Sequence, residues 1–198
     1  MVLLSHDHHF DNLDHLGRTL LGQADRVLTT AAGADRLGIP ATGLANWQKV
    51  DLPARDGRVL QVTGTPARHG PEGMDRGPVT GFVAAFTDAP ESGIYVSGDT
   101  VWYDGVAEVA RRFRIRTAVL FMGAARVPEV GPWHLTMTAE DGITAARSFA
   151  SATIVPLHFV GWAHFPESRE EIARAFGEAG LEHRLRWLDA GHTISLAQ

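Results

Sequence analysis

The segment Ser5-His6-Asp7-His8-His9-Phe10-Asp11-Asn12 places three imidazoles and two carboxylates in the six consecutive positions 6–11. Neutral imidazole and carboxylate are the standard ligands of a borderline cation such as zinc, so the chemistry on offer is metal binding. The plainer reading is a solvated polar turn. His6 and His8, two apart, share a face if the backbone there is extended, because strand side chains alternate. The apolar run Val2-Leu3-Leu4 reads as the end of a buried strand. Asn12 opens a helical pattern carried by Leu13, Leu16, Leu20 and Leu21. The cluster therefore falls in a strand-to-helix turn, where loops present functional groups on a rigid scaffold.

Three further candidates share one topological position. His69 follows the strand ending at Thr63-Gly64-Thr65-Pro66, Asp99 follows Tyr95-Val96-Ser97-Gly98, and His158 follows Ile154-Val155-Pro156-Leu157. Each stands just past the carboxyl end of an apolar strand, which is where α/β proteins gather their sites. Asp99 also has a structural reading, as the cap of a helix beginning near Trp102. His164, in Gly161-Trp162-Ala163-His164-Phe165, is an additional candidate for metal or substrate contact.

The elements that must position these residues mix hairpins with strand–helix alternation. Short strands are expected at Arg26 to Thr29, Trp47 to Leu52, Val59 to Thr63, Thr80 to Phe86 and Gly93 to Ser97, with Asp56-Gly57 as a hairpin signal. Helices at Trp102 to Phe113, Thr138 to Phe149 and Ser168 to Ala179 then alternate with strands Ala118 to Phe121 and Thr153 to Val155. Strands at Arg184 to Leu188 and Thr193 to Leu196 close the chain. The pattern predicts one α/β layered domain over residues 1–198. The Gly/Pro-rich connectors 68–79 and 123–132 are long, as functional loops often are.

Composition excludes several function classes. A net charge of −5 offers no electrostatic footprint for nucleic acid. With no cysteine, disulfides, thiolate zinc sites and Cys nucleophiles are excluded. No apolar run reaches the roughly 20 residues of a membrane span and no leader pattern is visible, so a cytoplasmic protein is expected. Neither a Gly-x-Ser-x-Gly elbow nor a Gly-x-Gly-x-x-Gly or Walker pattern is present. Trp133, His134, Phe159, Trp162 and Phe165 fall in two rim loops and suit an apolar or lipid-like group, or else pin those loops. Arg68 and Arg126 suit an anionic substrate, or else are plain surface arginines.

The ordered series His6-x-His8-x-x-Asp11, His69, Asp99 in Ser-Gly-Asp-Thr, and His158 resembles the metallo-β-lactamase-fold hydrolases. More narrowly, it is similar to the branch containing ascorbate-phosphate lactonases and N-acyl phosphatidylethanolamine phospholipase D. The resemblance covers Leu3 to about Leu196. It implies an αββα sandwich with two divalent ions, zinc first and manganese or magnesium as alternatives. By position, His6, His8 and His69 hold the first ion, Asp99 bridges, and Asp11 with His158 holds the second. It also implies hydrolysis of an ester, lactone or phosphodiester by a metal-bound hydroxide, with Asp11 orienting that hydroxide and shuttling its proton.

Three departures from the family pattern stand out. An extra residue separates the second His from the Asp, so that aligning from the back puts Asp7 and His9 in the ligand places. The front register is preferred because Leu4-Ser5-His6 matches the family's strand-ending Ser/Thr-His, and His9 is kept as a reserve ligand. Asn12 stands where the family has its last histidine, and an amide oxygen is a poor zinc ligand. Family members also carry strands ahead of the motif, so an N-terminally incomplete sandwich and an upstream start are expected, with a free sheet edge. The alternative function is a metal-binding, non-catalytic or truncated inactive remnant of the fold.

Overall fold

The computed structural model describes residues 1–195. Its first part is a small parallel sheet of β1 (Val2–Leu3), β2 (Val27–Thr29) and β3 (Thr42–Gly43), in that order, with α1 (His15–Leu21) and α2 (Ala31–Leu37) between its strands. The second sheet runs in sequence order through β4 (Lys49–Pro53), β5 (Val59–Pro66), β6 (Thr80–Phe86), β7 (Gly93–Val96), β8 (Ile115–Phe121) and β9 (Thr153–Leu157). Its first three pairings are antiparallel and its last two parallel. The parallel pairs require crossovers, supplied by α3 (Asp104–Arg112) and α4 (Ala139–Ser148); α5 (Arg169–Glu178) follows β9.

Burial defines the layers. Leu28 and Leu44 of the small-sheet region pack with Leu52, Val62 and Phe82 of the large sheet, forming the apolar seam between the two. Behind the large sheet, Tyr95, Leu120 and Ile154 meet Val106, Val109, Ala145, Ile172 and Phe176 from α3, α4 and α5. Leu4 and Val27 meet Leu13, Leu21 and Leu37 on the far side of the small sheet. The arrangement is an αββα sandwich, the fold expected. Each fully buried aliphatic or aromatic side chain contributes about 1.5–3 kcal/mol relative to exposure.

Local chemistry explains the helix starts. Thr138 Oγ1 accepts from Asp141 N–H while the Asp141 carboxylate accepts from Thr138 N–H, and Ser168 with Glu171 repeats the exchange. These capping boxes satisfy backbone donors that a helix start leaves open. α1 begins later than the leucine spacing suggests, because Asp14 caps it by accepting from Gly17 N–H. Of the four spaced leucines only Leu13 and Leu21 are buried.

The expected C-terminal strands are corrected. Glu182–Arg184 is a single 3-10 turn, and Leu185 makes only an isolated bridge to Ile154. Arg184 is the reason: its guanidinium donates to the carbonyls of Ala146, Phe149 and Ala152, closing the end of α4. Residues 193–195 form no regular element, and Leu196 lies outside the described residues.

Strands β5, β7, β8 and β9 all run the same way, so Pro66, Val96, Phe121 and Leu157 end at one edge. The end of β1 reaches that edge too, because Ser5 C=O accepts from Thr80 N–H at 3.0 Å. The connectors leaving these strands carry the candidate ligands.

Candidate metal centre

Asp99 is the hub. It is 1% exposed, and three imidazoles surround it. Its Oδ2 lies 3.5 Å from His69 Nε2 and 3.9 Å from His6 Nε2, while its Oδ1 lies 3.6 Å from His158 Nε2. Gly98 makes this approach possible: it has φ +60°, and a Cβ there would come within 2.6 Å of Ser5 Cβ. Asp99 caps no helix, since the residue preceding α3 is Tyr103. Thr100 instead accepts from Arg68 N–H at 2.9 Å, tying the Asp99 turn to the segment that bears His69.

Each imidazole has a distinct support. His69 Nδ1 is 3.0 Å from the carbonyl of Leu135; only an Nδ1–H can bond there, which leaves Nε2 with its lone pair toward the centre. His6 Nδ1 meets Ser5 Oγ at 3.0 Å, and its Nε2 faces Asp99. His158 has φ +61°, a left-handed backbone uncommon outside glycine, and its ring stacks on Phe121 and leans on Phe165.

The turn 6–12 does not follow strand alternation. β1 ends at Leu3, and the chain curls so that His9, not His8, joins His6 and His69, with donor atoms of all three within 4.8 Å of one another. His9 Nδ1 is 3.1 Å from His69 Nε2. His8, expected as a ligand, has its Nε2 engaged at 2.6 Å by the carbonyl of Arg76. Asp7, the alternative ligand of the back register, is buried and held by Arg36 at 2.5 and 2.9 Å, which keeps its carboxyl below the usual range. The trio thus takes His6 from one register and His9 from the other. Asn12 donates its amide to the His6 carbonyl at 2.6 Å. Asp11 Oδ2 meets His164 Nε2 at 3.0 Å.

Burial, reinforced by the neighbouring imidazoles, pulls His6 down to about 2. Burial likewise pulls His9 and His69 down to about 4, and lowers His158. Burial pushes Asp99 up to about 8, with Asp11 adding to it. The donors are therefore neutral imidazoles around a carboxyl that needs a positive partner to ionise.

The donor set fits a divalent cation. His6 Nε2, Asp99 Oδ1 and both ring nitrogens of His158 are buried without a hydrogen-bond partner. Such orphans cost about 1–3 kcal/mol each. The gaps of 3.5–3.9 Å around Asp99 are long for a shared proton. They are close to the roughly 3.3 Å expected between tetrahedral donors with bonds of about 2.0–2.1 Å.

His9, Asp11, His69, Asp99, His158 and His164 border a cavity of about 330 Å³, with Phe10, Ala125, Val127, Leu135 and Trp162 as its apolar wall and Arg76 as its one arginine. Phe10 and Trp162 meet edge to face at 6.3 Å. Of the expected rim aromatics, Trp162 lines the cavity and Phe165 backs His158 and His164. Phe159 packs on Trp187, His134 pairs with Asp141, and Trp133 is exposed outside the cavity. Neither expected arginine lines it: Arg68 lies over Tyr103 and near Glu72, and Arg126 is exposed. Sequence reasoning passed over Arg76, which carries no motif, and kept His9 only in reserve.

Residues 1–159 match the family model of the beta-lactamase superfamily domain, so the chain belongs to the beta-lactamase superfamily. The UPF0173 protein YddR of Bacillus subtilis is 26% identical over 190 residues, covering 93% of this chain and 71% of that protein. A UPF0173 metal-dependent hydrolase of Methanoculleus marisnigri is 28% identical over 90% of this chain and 84% of its own length. A Natranaerobius thermophilus relative of the same description is matched over 47% of its length. Among solved structures, the isothiocyanate hydrolase from Delia radicum gut bacteria superposes with a TM-score of 0.79 at 25% identity, covering 98% of this chain and 75% of that one. A possible metal-dependent hydrolase from Veillonella parvula has a TM-score of 0.82 at 19% identity, with 98% and 74% coverage, and supports the fold. The chain groups with metal-dependent hydrolases of the metallo-β-lactamase fold. Among the described residues no helix is long and apolar enough to cross a membrane.

Proposed function

We propose that this chain is a metal-dependent hydrolase of a small molecule carrying an ester, lactone or phosphodiester bond. The observation that carries the reading is the set of partnerless buried donors converging on Asp99. His6, His9 and His69 would hold one divalent ion, zinc by their chemistry. Asp99 would lie between this ion and a second, and His158 with Asp11 would hold the second. Bound ions would supply Lewis acidity and a water acidic near neutral pH.

The chain's own residues do the rest. Asp11, at the cavity and steadied by His164 at 3.0 Å, orients the attacking water and takes its proton on its carboxylate. The Leu135 carbonyl keeps His69 in the tautomer a ligand needs. Phe10, Val127 and Trp162 exclude solvent from one wall and seat the apolar part of the substrate.

A second substrate reading comes from the apolar wall together with the resemblance to the isothiocyanate hydrolase: an uncharged heterocumulene with an apolar arm. In that case the water oxygen would bond to the central carbon of the N=C=S group as its C=N π bond opens, and the proton taken by Asp11 would pass to the nitrogen, giving a thiocarbamate.

Metal analysis of the purified protein tests the first half of the proposal. About two equivalents of metal per chain support it; one or none favours a remnant that binds metal without catalysis. Turnover of bis-p-nitrophenyl phosphate, p-nitrophenyl butyrate and benzyl isothiocyanate, with added zinc or manganese, separates the substrate classes. No metal-dependent turnover of any of them removes the hydrolase reading.

A further inference from the structure

We propose that Arg76 anchors the polar end of the substrate in this cavity, and that His8 is the positioning residue that holds Arg76 there. The substrate class this selects carries an anionic or strongly electron-rich group beside the bond to be cleaved and an apolar arm beyond it. The inference rests on the hydrolase reading for the bond cleaved, but not for the binding itself.

The segment between His69 and Thr80 is exposed over residues 72–76 and carries three glycines with left-handed φ, Gly70 (+121°), Gly73 (+78°) and Gly77 (+98°). Such a stretch has little conformational preference of its own. Yet Arg76 is clamped on both backbone groups. Its N–H donates to the carbonyl of His69 at 2.9 Å, and its own carbonyl accepts from His8 Nε2–H at 2.6 Å. A carbonyl can only accept, so His8 is fixed as the Nε2–H tautomer, and that nitrogen has no lone pair left for a metal. The absence of a side chain on Gly77 lets the ring in: a Cβ there would lie 3.1 Å from His8 Nε2.

What the clamp holds is an arginine that lines the cavity and whose charge is felt by His9, with no carboxylate paired to it among the described residues. Every other basic side chain lining that cavity is an imidazole of the proposed metal cluster or its immediate neighbours. Arg76 is thus the permanent positive charge beside the apolar wall, in a lining that also carries the carboxyl groups of Asp11 and Asp99. Its planar fork suits a carboxylate, phosphonate or similar two-oxygen group. Phe10 and Trp162 supply the surface for the arm.

Calorimetric titration of the zinc-loaded protein with phenylphosphonate, which cannot be hydrolysed, reads the anchor without turnover. Arg76→Gln should weaken binding about 10- to 100-fold with zinc content unchanged. His8→Ala should give a similar loss at unchanged zinc content, His8→Gln should recover part of it, and the double variant should be no worse than Arg76→Gln alone, as expected for coupled residues. Thermal melts establish that each variant is folded; Arg76, being exposed, gives the primary result. The proposal is overturned if wild type does not bind phenylphosphonate, if Arg76→Gln binds it as wild type does, or if His8→Ala loses zinc. Wild type that binds phenylphosphonate but turns over no ester sinks the hydrolase reading and leaves the anchor standing.

Discussion

Asn12 donates its side-chain amide to the backbone carbonyl of His6 at 2.6 Å, closing the seven-residue turn 6–12. Within this turn His6 and His9, three apart, gather with His69, while His8 Nε2 turns to the carbonyl of Arg76. Asn12, standing where the family has a histidine, acts here on the backbone. Asn12→Ala should therefore lower metal affinity by about 10- to 100-fold without removing a ligand. Asn12→His, which restores the family residue, should do no better. Competition against a zinc-binding dye measures both, and wild-type affinity in Asn12→Ala would show that the tie is dispensable.

Asp99 sets function against stability. As a buried acid with an orphan oxygen it destabilises the metal-free fold, yet it is the hub of the donor set. Asp99→Ala should bind less metal and lose turnover by several orders of magnitude. The metal-free variant should melt no lower than metal-free wild type above about pH 8, where the wild-type carboxyl is driven to ionise without a partner. A markedly lower melting temperature for the variant would contradict this account.

The pH dependence of the metal-free protein follows from the same groups. His6 is held at about 2, and His9 and His69 at about 4, whereas in the unfolded chain a histidine titrates near 6.5. The unfolded state then binds protons that the fold refuses, so these groups make stability rise with pH up to about 6.5. Asp99, held at about 8, acts in the opposite sense: the fold keeps a proton that the unfolded chain releases above about 3.9, and that stability is lost as pH rises toward 8. Three imidazoles outweigh one carboxyl below about pH 6.5, and above it the carboxyl acts alone. Melting temperatures of chelator-treated protein should peak near pH 6.5 and fall on both sides. A profile that climbs without a maximum would count against the raised Asp99.

Arg184 closes the carboxyl end of α4 with bonds to three carbonyls. Arg184→Ala should leave those acceptors unsatisfied and lower stability by about 2–4 kcal/mol. Lysine, with a single ammonium in place of the planar fork, should recover only part of it. Urea denaturation with an unchanged slope is the measurement, and a loss under about 0.5 kcal/mol would show the bonds to be incidental.

Much of the fold could be read where chemistry is local. Thr80 to Phe86 follows the predicted strand, Asp56-Gly57 turns its hairpin, and Thr138 and Ser168 start their helices through side-chain caps. α2 was passed over because Ala31–Leu37 has almost no apolar rhythm, its one buried residue being Gly33; a visible consequence of its placement is the Arg36–Asp7 pair. The segments bearing His69, Asp99 and His158 were legible because each follows a strand end. The gathering of His9 with His6 and His69 was not, because strand alternation says nothing beyond Leu3, where the strand stops. Arg76 reaches its cavity through bonds from residues 69 and 8, a relation no local window contains.

Asp99 and the imidazoles gathered around it come from four stretches of chain spread between His6 and His158. A cation held there would cross-link segments some 150 positions apart, far more than a local clip would join. It would bind only the completed fold, so its affinity would add to global stability through mass action. Stripping the ion would leave every helix and strand in place while making the whole chain open more often, which limited proteolysis would register as faster cleavage throughout.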